Sequence, residues 1–144
     1  MIALLYRLAD AARRRTRSRL WTVEQANGRL GEDLAHRHLQ REGLRVVARN
    51  YRPRAGAGEI DLIAWDTDTL VFVEVKARTS GEYGAPDRAV DHEKRRDLEH
   101  AAADYARRAG VPWEQVRFDV VNVVFTHPAR IWRIRDAFRP SRTL

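Results

Sequence analysis

With 144 residues the chain has the length of one domain, enough to bury roughly 68–70% of the surface exposed by its unfolded form without added staples. It has no cysteine, which excludes a disulfide scaffold and a thiolate zinc site, and its longest apolar run near the start, Ile2 to Tyr6, is far too short for a membrane span. The formal charge is +7, and of 27 basic residues all but Lys76 and Lys94 are arginine, a side chain that grips phosphate bidentately, so a polyanionic partner is expected. Codon bias in a GC-rich genome accounts for the ratio of arginine to lysine but not for the net excess. The short apolar start has no leading basic region and no cleavage site, so a signal peptide is not expected and a cytoplasmic location is.

Residues 1–21 read as a basic N-terminal extension ending in Arg13-Arg14-Arg15-Thr16-Arg17-Ser18-Arg19. A loosely ordered solvated arm, a nucleic-acid contact and an overextended start site are all compatible with it. Residues 22–144 read as a single domain. From Val23 to Arg41 the apolar positions Leu30, Leu34, Ala35, His38 and Leu39 fall on one helical stripe, with Arg29, Asp33, Arg37 and Gln40 opposite. Gly43 ends the helix, and Gly28 and Gly31 would let it approach a sheet closely. Leu44 to Asn50 reads as a short strand and Tyr51 to Gly58 as a loop. Glu59 to Trp65 and Leu70 to Ala77 form a strand pair around a turn at Asp66 to Thr69. A second loop, Thr79 to Pro86, leads to Asp87, which caps a helix running to Arg108 before Gly110 and Pro112. Val116 to Phe125 is a strongly apolar strand, and Arg130 to Arg135 a final edge strand. The order is helix, three strands, helix, strand, which points to an α/β fold with a central mixed sheet flanked by helices.

The chemistry lies in the strand pair. Side chains alternate along a strand, so Glu59 and Asp61 share a face, as do Glu74, Lys76 and Arg78, while Ile60, Leu62, Val71, Val73 and Val75 form the core-facing set. In an antiparallel pair Asp61 and Glu74 come side by side. Two carboxylates in an apolar sheet are costly unless compensated, and a hard divalent cation, Mg²⁺ or Mn²⁺, compensates them well. Such an ion polarises a phosphate and acidifies a bound water, and Lys76 reaches the same space to steady the nucleophile or the phosphate. Arg78 extends that face as a phosphate contact. Glu59 is either a ligand or a group supporting one. By periodicity alone Glu32 is an ordinary surface glutamate beside Gly31. Lys94 falls on the buried stripe of the second helix with Val90, Leu98 and Tyr105, and either snorkels or serves a phosphate. Asp119 shares a face with Arg117, so the two form an ion pair that either supports the site or stabilises the sheet. The glycine-rich Ala55-Gly56-Ala57-Gly58 lacks the Gly-Lys-Ser/Thr of a phosphate loop, and no histidine pair has ligand spacing.

The set Asp61 with Glu74-Val75-Lys76 resembles the PD-(D/E)xK nuclease superfamily, with Ile60 where proline commonly precedes the acid. More narrowly, Gly31-Glu32, Gly58-Glu59-Ile60-Asp61-Leu62-Ile63, Phe72-Val73-Glu74-Val75-Lys76-Ala77-Arg78 and Arg117-Phe118-Asp119-Val120-Val121, in this order, are similar to the uncharacterised bacterial YraN family, which is placed near the archaeal Holliday junction resolvases. The resemblance spans roughly Asn27 to Val124. It implies a restriction-endonuclease-like core, catalytic roles for Asp61, Glu74 and Lys76, a metal held by Asp61, Glu74 and Glu32, and supporting or nucleic-acid-binding roles for Arg78, Lys94, Glu59 and Asp119. It also implies Mg²⁺ or Mn²⁺ as cofactor and cleavage of the DNA backbone, with branched or recombination and repair intermediates as substrates and a homodimer for paired cuts. A nucleic-acid-binding module that keeps this fold without catalysis is the alternative, and an interaction subunit with basic arms a third.

Overall fold

The computed structural model describes residues 23–79 and 92–139. A helix α1 (Val23–Arg41) is followed by strands β1 (Arg45–Tyr51), β2 (Ile60–Asp66) and β3 (Thr69–Thr79), helix α2 (His92–Ala109), a 3₁₀ turn (Trp113–Gln115), β4 (Val116–Phe125) and β5 (Arg130–Phe138). The strands lie in one sheet in sequence order, β1-β2-β3-β4-β5. Only β3 and β4 run parallel, joined through α2, and the other pairings are antiparallel. The sheet is therefore mixed, as expected from a helical connection inserted among hairpins. Both helices close in the same way. At Gly43 (φ 91°) the Leu44 amide donates to Leu39 O and the Gly43 amide to Gln40 O, each at 3.0 Å. At Gly110 (φ 69°) the Val111 and Gly110 amides repeat the pattern on Ala106 O and Arg107 O.

The sheet is buried on both faces, which alternation around one core-facing set does not anticipate. Ala35 and Leu39 of α1 pack on Leu62, Ala64, Val71, Val73, Val121 and Val123. On the other side Leu98, Ala101, Ala102 and Ala106 of α2 pack on Ile63, Leu70, Phe72 and Phe118. Ile60 belongs to this second core and not, as its parity suggests, to the core of Leu62 and Val73. The cause is local: β2 pairs with β3 only from Leu62↔Val73 to Asp66↔Thr69, and beyond Leu62 the ladder is broken. Phe138 stacks on Phe118 with centroids 4.7 Å apart, which accounts for β5 running three residues past the expected Arg135.

Two helix expectations change. Asp33 was placed on the solvent side of α1 but is only 3% exposed, because Arg49 of β1 meets it at 2.8 Å and an ion pair replaces water. Gly31 permits the close approach, since a Cβ there would sit 2.7 Å from Ala77 Cβ, whereas Gly28 has open space around it. Residues 1–21, Asp87 and Val90 lie outside the described residues.

Candidate active site

The break in the β2–β3 ladder makes the site. One residue past its last partnered position, Asp61 turns its carboxylate to the β3 backbone, and Oδ2 accepts the Val75 amide at 2.7 Å. A side chain thus takes the place of a main-chain partner, and the strands part into a cleft of about 390 Å³ lined by Gly58, Glu59, Asp61, Glu74, Lys94 and Asp97. Glu74, only 7% exposed, meets the Lys94 ammonium of α2. The rest of Lys94 is largely in solvent, so its position on α2 is a rim position rather than the buried one expected from the stripe it shares with Leu98.

The entry loop is tied to α2. His100 Nε2 lies 2.9 Å from Ala55 O, and Gly58 (φ 115°) comes so close that a Cβ would meet Asp97 O at 2.3 Å. Glycine at 58 therefore lets the loop bring Glu59 to the cleft mouth, where Arg52 meets it at 3.1 Å. Glu32 reaches the same region from α1, on the other side of the sheet. It is partly buried, with Arg29 at 3.5 Å and Arg49 at 3.6 Å. The parting of the strands lets acids from both layers act on one another.

Their convergence shows in Asp61. Burial, and then the charges of Glu32, Glu74 and Glu59, push its carboxyl up to about 7 against the Val75 amide, which pulls it down. Glu32 is also raised by burial, opposed by Arg29, Asn50 and Arg49. Among the described residues no three His, Asp or Glu side chains stand together as a ready metal shell. The donors nevertheless suit a hard divalent ion: they are all carboxylates, and Asp61 is raised by burial and then by neighbouring anions whose charge such an ion would balance.

Lys76 and Arg78 follow Glu74 at alternate positions of β3, beside Asn122 and Val124 of β4. Lys76 has no ion-pair partner among the described residues, and the lysine that touches Glu74 is Lys94. Asp119 sits beside Val73, on the face opposite Glu74. With no exposed side-chain surface, it accepts from Arg117 Nε at 2.8 Å, Arg133 Nη1 at 2.7 Å and the Asp136 amide at 2.9 Å. Arg117 continues to Asp66 and Arg133 to Glu42, each at 2.8 Å. Asp119 therefore ties strands and α1 together, away from the cleft. Asn50 and Asp97 were not singled out from the sequence. The signal for Asp97 was its place one helical turn after Lys94, and that for Asn50 was an asparagine at a strand end, where a left-handed residue is tolerated.

A mixed sheet between two helices, in helix–strand–strand–strand–helix–strand order with acids at a break in the second strand, is the build of a restriction-endonuclease-like core. Within that class the chain belongs to UPF0102, an uncharacterised protein family whose model matches residues 31–123. It is 54% identical over 138 residues to a UPF0102 protein of Solibacter usitatus, covering 96% of this chain and all of that one. It is 46% identical over 115 residues to one of Rhodococcus jostii, covering 78% of this chain and 96% of the relative. With one of Persephonella marina it shares 40% over 111 residues, 77% and 91% of the two chains. No helix among the described residues is long and apolar enough to cross a membrane.

Proposed function

We propose that this protein is a Mg²⁺- or Mn²⁺-dependent nuclease that hydrolyses phosphodiester bonds in DNA. The observation that carries the reading is the convergence of Asp61, Glu74 and Glu59 on one cleft, with Asp61 raised to about 7 by burial and by its anionic neighbours. Asp61 and Glu74 hold the ion, with Glu59 and Glu32 adding negative charge behind them. The bound ion supplies Lewis-acid polarisation of the phosphate and an acidified water. Lys76, two residues past Glu74 on the same face, places its ammonium against the charge that develops on the phosphate, and Arg78 orients the backbone one step further along. Lys94 balances the charge of Glu74. Arginine contacts to phosphate fix position without reading bases, so sequence specificity is low. Branched or interrupted DNA, which opens its backbone to such a cleft, is the preferred substrate, and paired cuts at a four-way junction call for a symmetric dimer.

One observation favours a second reading, a binding module without catalysis: every acid of the group except Asp61 already has a cationic partner. Labelled linear, flapped and four-way DNA, incubated with purified protein with and without Mn²⁺, separates the two. Cleavage that needs the ion and disappears with chelator supports the nuclease. Cleavage undiminished by chelator overturns the metal mechanism, and salt-sensitive binding with no cleavage under any ion supports the binding module.

A further inference from the structure

Asn50, next to last in β1, has φ 51°, where side chains other than those of glycine, asparagine and aspartate are strained. In the amide orientation that satisfies its neighbours, Nδ2 donates to both carboxylate oxygens of Glu32, at 3.1 and 3.2 Å, and to Glu59 Oε1 at 3.2 Å. Its Oδ1 accepts from Arg29 Nη1 at 2.5 Å. One amide is thus shared by carboxylates from two elements, α1 and the lead-in to β2. Those carboxylates repel each other, and the guanidinium contacts to Glu32 are longer, 3.5 Å to Arg29 and 3.6 Å to Arg49. A neutral donor suits this place. It gathers carboxylate oxygens as a cation does without adding a further positive charge to those of Arg29, Arg49 and Arg52.

We infer that Asn50 is a positioning residue: from the end of β1 it holds Glu32 toward Glu59, and so keeps the two outer acids close to the cleft lined by Asp61 and Glu74. This rests on the metal reading of the cleft and adds to it a residue that touches neither ion nor phosphate. The effect of both Glu32 and Glu59 on Asp61 agrees with it.

Asn50→Gly is the suitable variant, because glycine accepts the left-handed backbone while removing the amide. Mn²⁺ binding, read from the free-ion electron paramagnetic resonance signal, is expected to weaken about tenfold, the lower end for losing a group that orients a ligand. A retained cooperative melt checks that the variant is folded. In a Glu32→Gln, Glu59→Gln background the Asn50→Gly change should cost no further Mn²⁺ affinity, since the amide acts through those two carboxylates. Unchanged affinity in Asn50→Gly alone, or an undiminished further loss in that background, overturns the inference. A second measurement depends neither on metal nor on the folding of an Asn50 variant. The Asn50 side-chain NH₂ resonances of the native protein should move in Glu32→Gln, and resonances indifferent to that change overturn the bridge. If the native protein takes up no Mn²⁺, the metal reading fails separately, and the bridge stands or falls on those resonances.

Discussion

Asp61 is pulled two ways, by the Val75 amide that favours its charge and by burial and three anions that oppose it, and the second set wins, raising it from 3.8 to about 7. The folded protein therefore binds this proton more tightly than the unfolded chain does. Its share of stability is fully present below the ordinary value of 3.8 and is lost as pH rises through about 7. Asp61→Asn keeps an oxygen for Val75 and removes the charge. It should match the native protein in thermal melts near pH 4 and exceed it at pH 8 by about 1–3 kcal/mol, the full shift being discounted for solvent in the cleft. Saturating Mn²⁺ at pH 8 should stabilise the native protein and not the variant, and equal melting of the two at pH 8 would refute the strained carboxyl. Glu74→Ala and Lys76→Ala should each lower turnover on DNA by at least about 10²-fold while leaving a cooperative melt, the scale for losing one stabiliser of transition-state charge. A Glu74→Ala protein that no longer melts cooperatively would make Glu74 structural. At this scale the placing of Asp61 beside Glu74 was legible as a sequence pattern. Asn50 was not, because what marks it is a backbone angle and two carboxylates from distant segments.

The elements meet at glycines. Gly58 is held at φ 115° with no room for a Cβ before Asp97 O at 2.3 Å, so Gly58→Ala must strain the backbone and push the entry loop away from α2. A loss of about 2–4 kcal/mol is expected, read as a lower midpoint in urea with an unchanged slope, and an unaltered midpoint would show that the loop yields freely. Because the loop carries Glu59 and α2 carries Lys94 and Asp97, Mn²⁺ affinity should fall with stability. Periodicity placed α1 over Val23–Arg41 and β4 over Val116–Phe125, the observed bounds. It misplaced Ile60, because alternation presumes an unbroken ladder and β2 joins β3 only from Leu62 onward.

Across the whole molecule the two faces of the sheet divide the work. The α2 face and the broken ladder hold the cleft, while Arg117, Asp119 and Arg133 on the α1 face link β4 to β5, to Asp66 and to Glu42 at the end of α1. In the fold Asp119 lies below its ordinary carboxylate value, since the bonds from Arg117, Arg133 and the Asp136 amide together outweigh its burial, the largest single influence. Asp119→Ala leaves two arginines short of a buried partner and should cost about 3 kcal/mol, a fall in Tm of roughly 10 °C. Mn²⁺ affinity measured well below that Tm should not change, because the network faces away from the cleft, and a matching loss of affinity would place Asp119 in the site after all. The sequence left open whether this pair supports the site or the sheet. In the parallel register Asp119 stands beside Val73, on the face opposite Glu74, and the affinity measurement tests its role in the site.

The sequence by itself determined the elements, the α/β class and the neighbouring of Asp61 and Glu74, because hydrophobic periodicity, turn residues and side-chain alternation are local properties of the chain. Tertiary structure alone decided that both faces of the sheet are buried, that Asp33 is an internal ion-pair partner, and that Glu32 and Glu59 share the Asn50 amide. These depend on where β2 parts from β3 and on how closely α1 and α2 settle on the sheet. Such distances arise between residues far apart in the chain, and no local pattern encodes them.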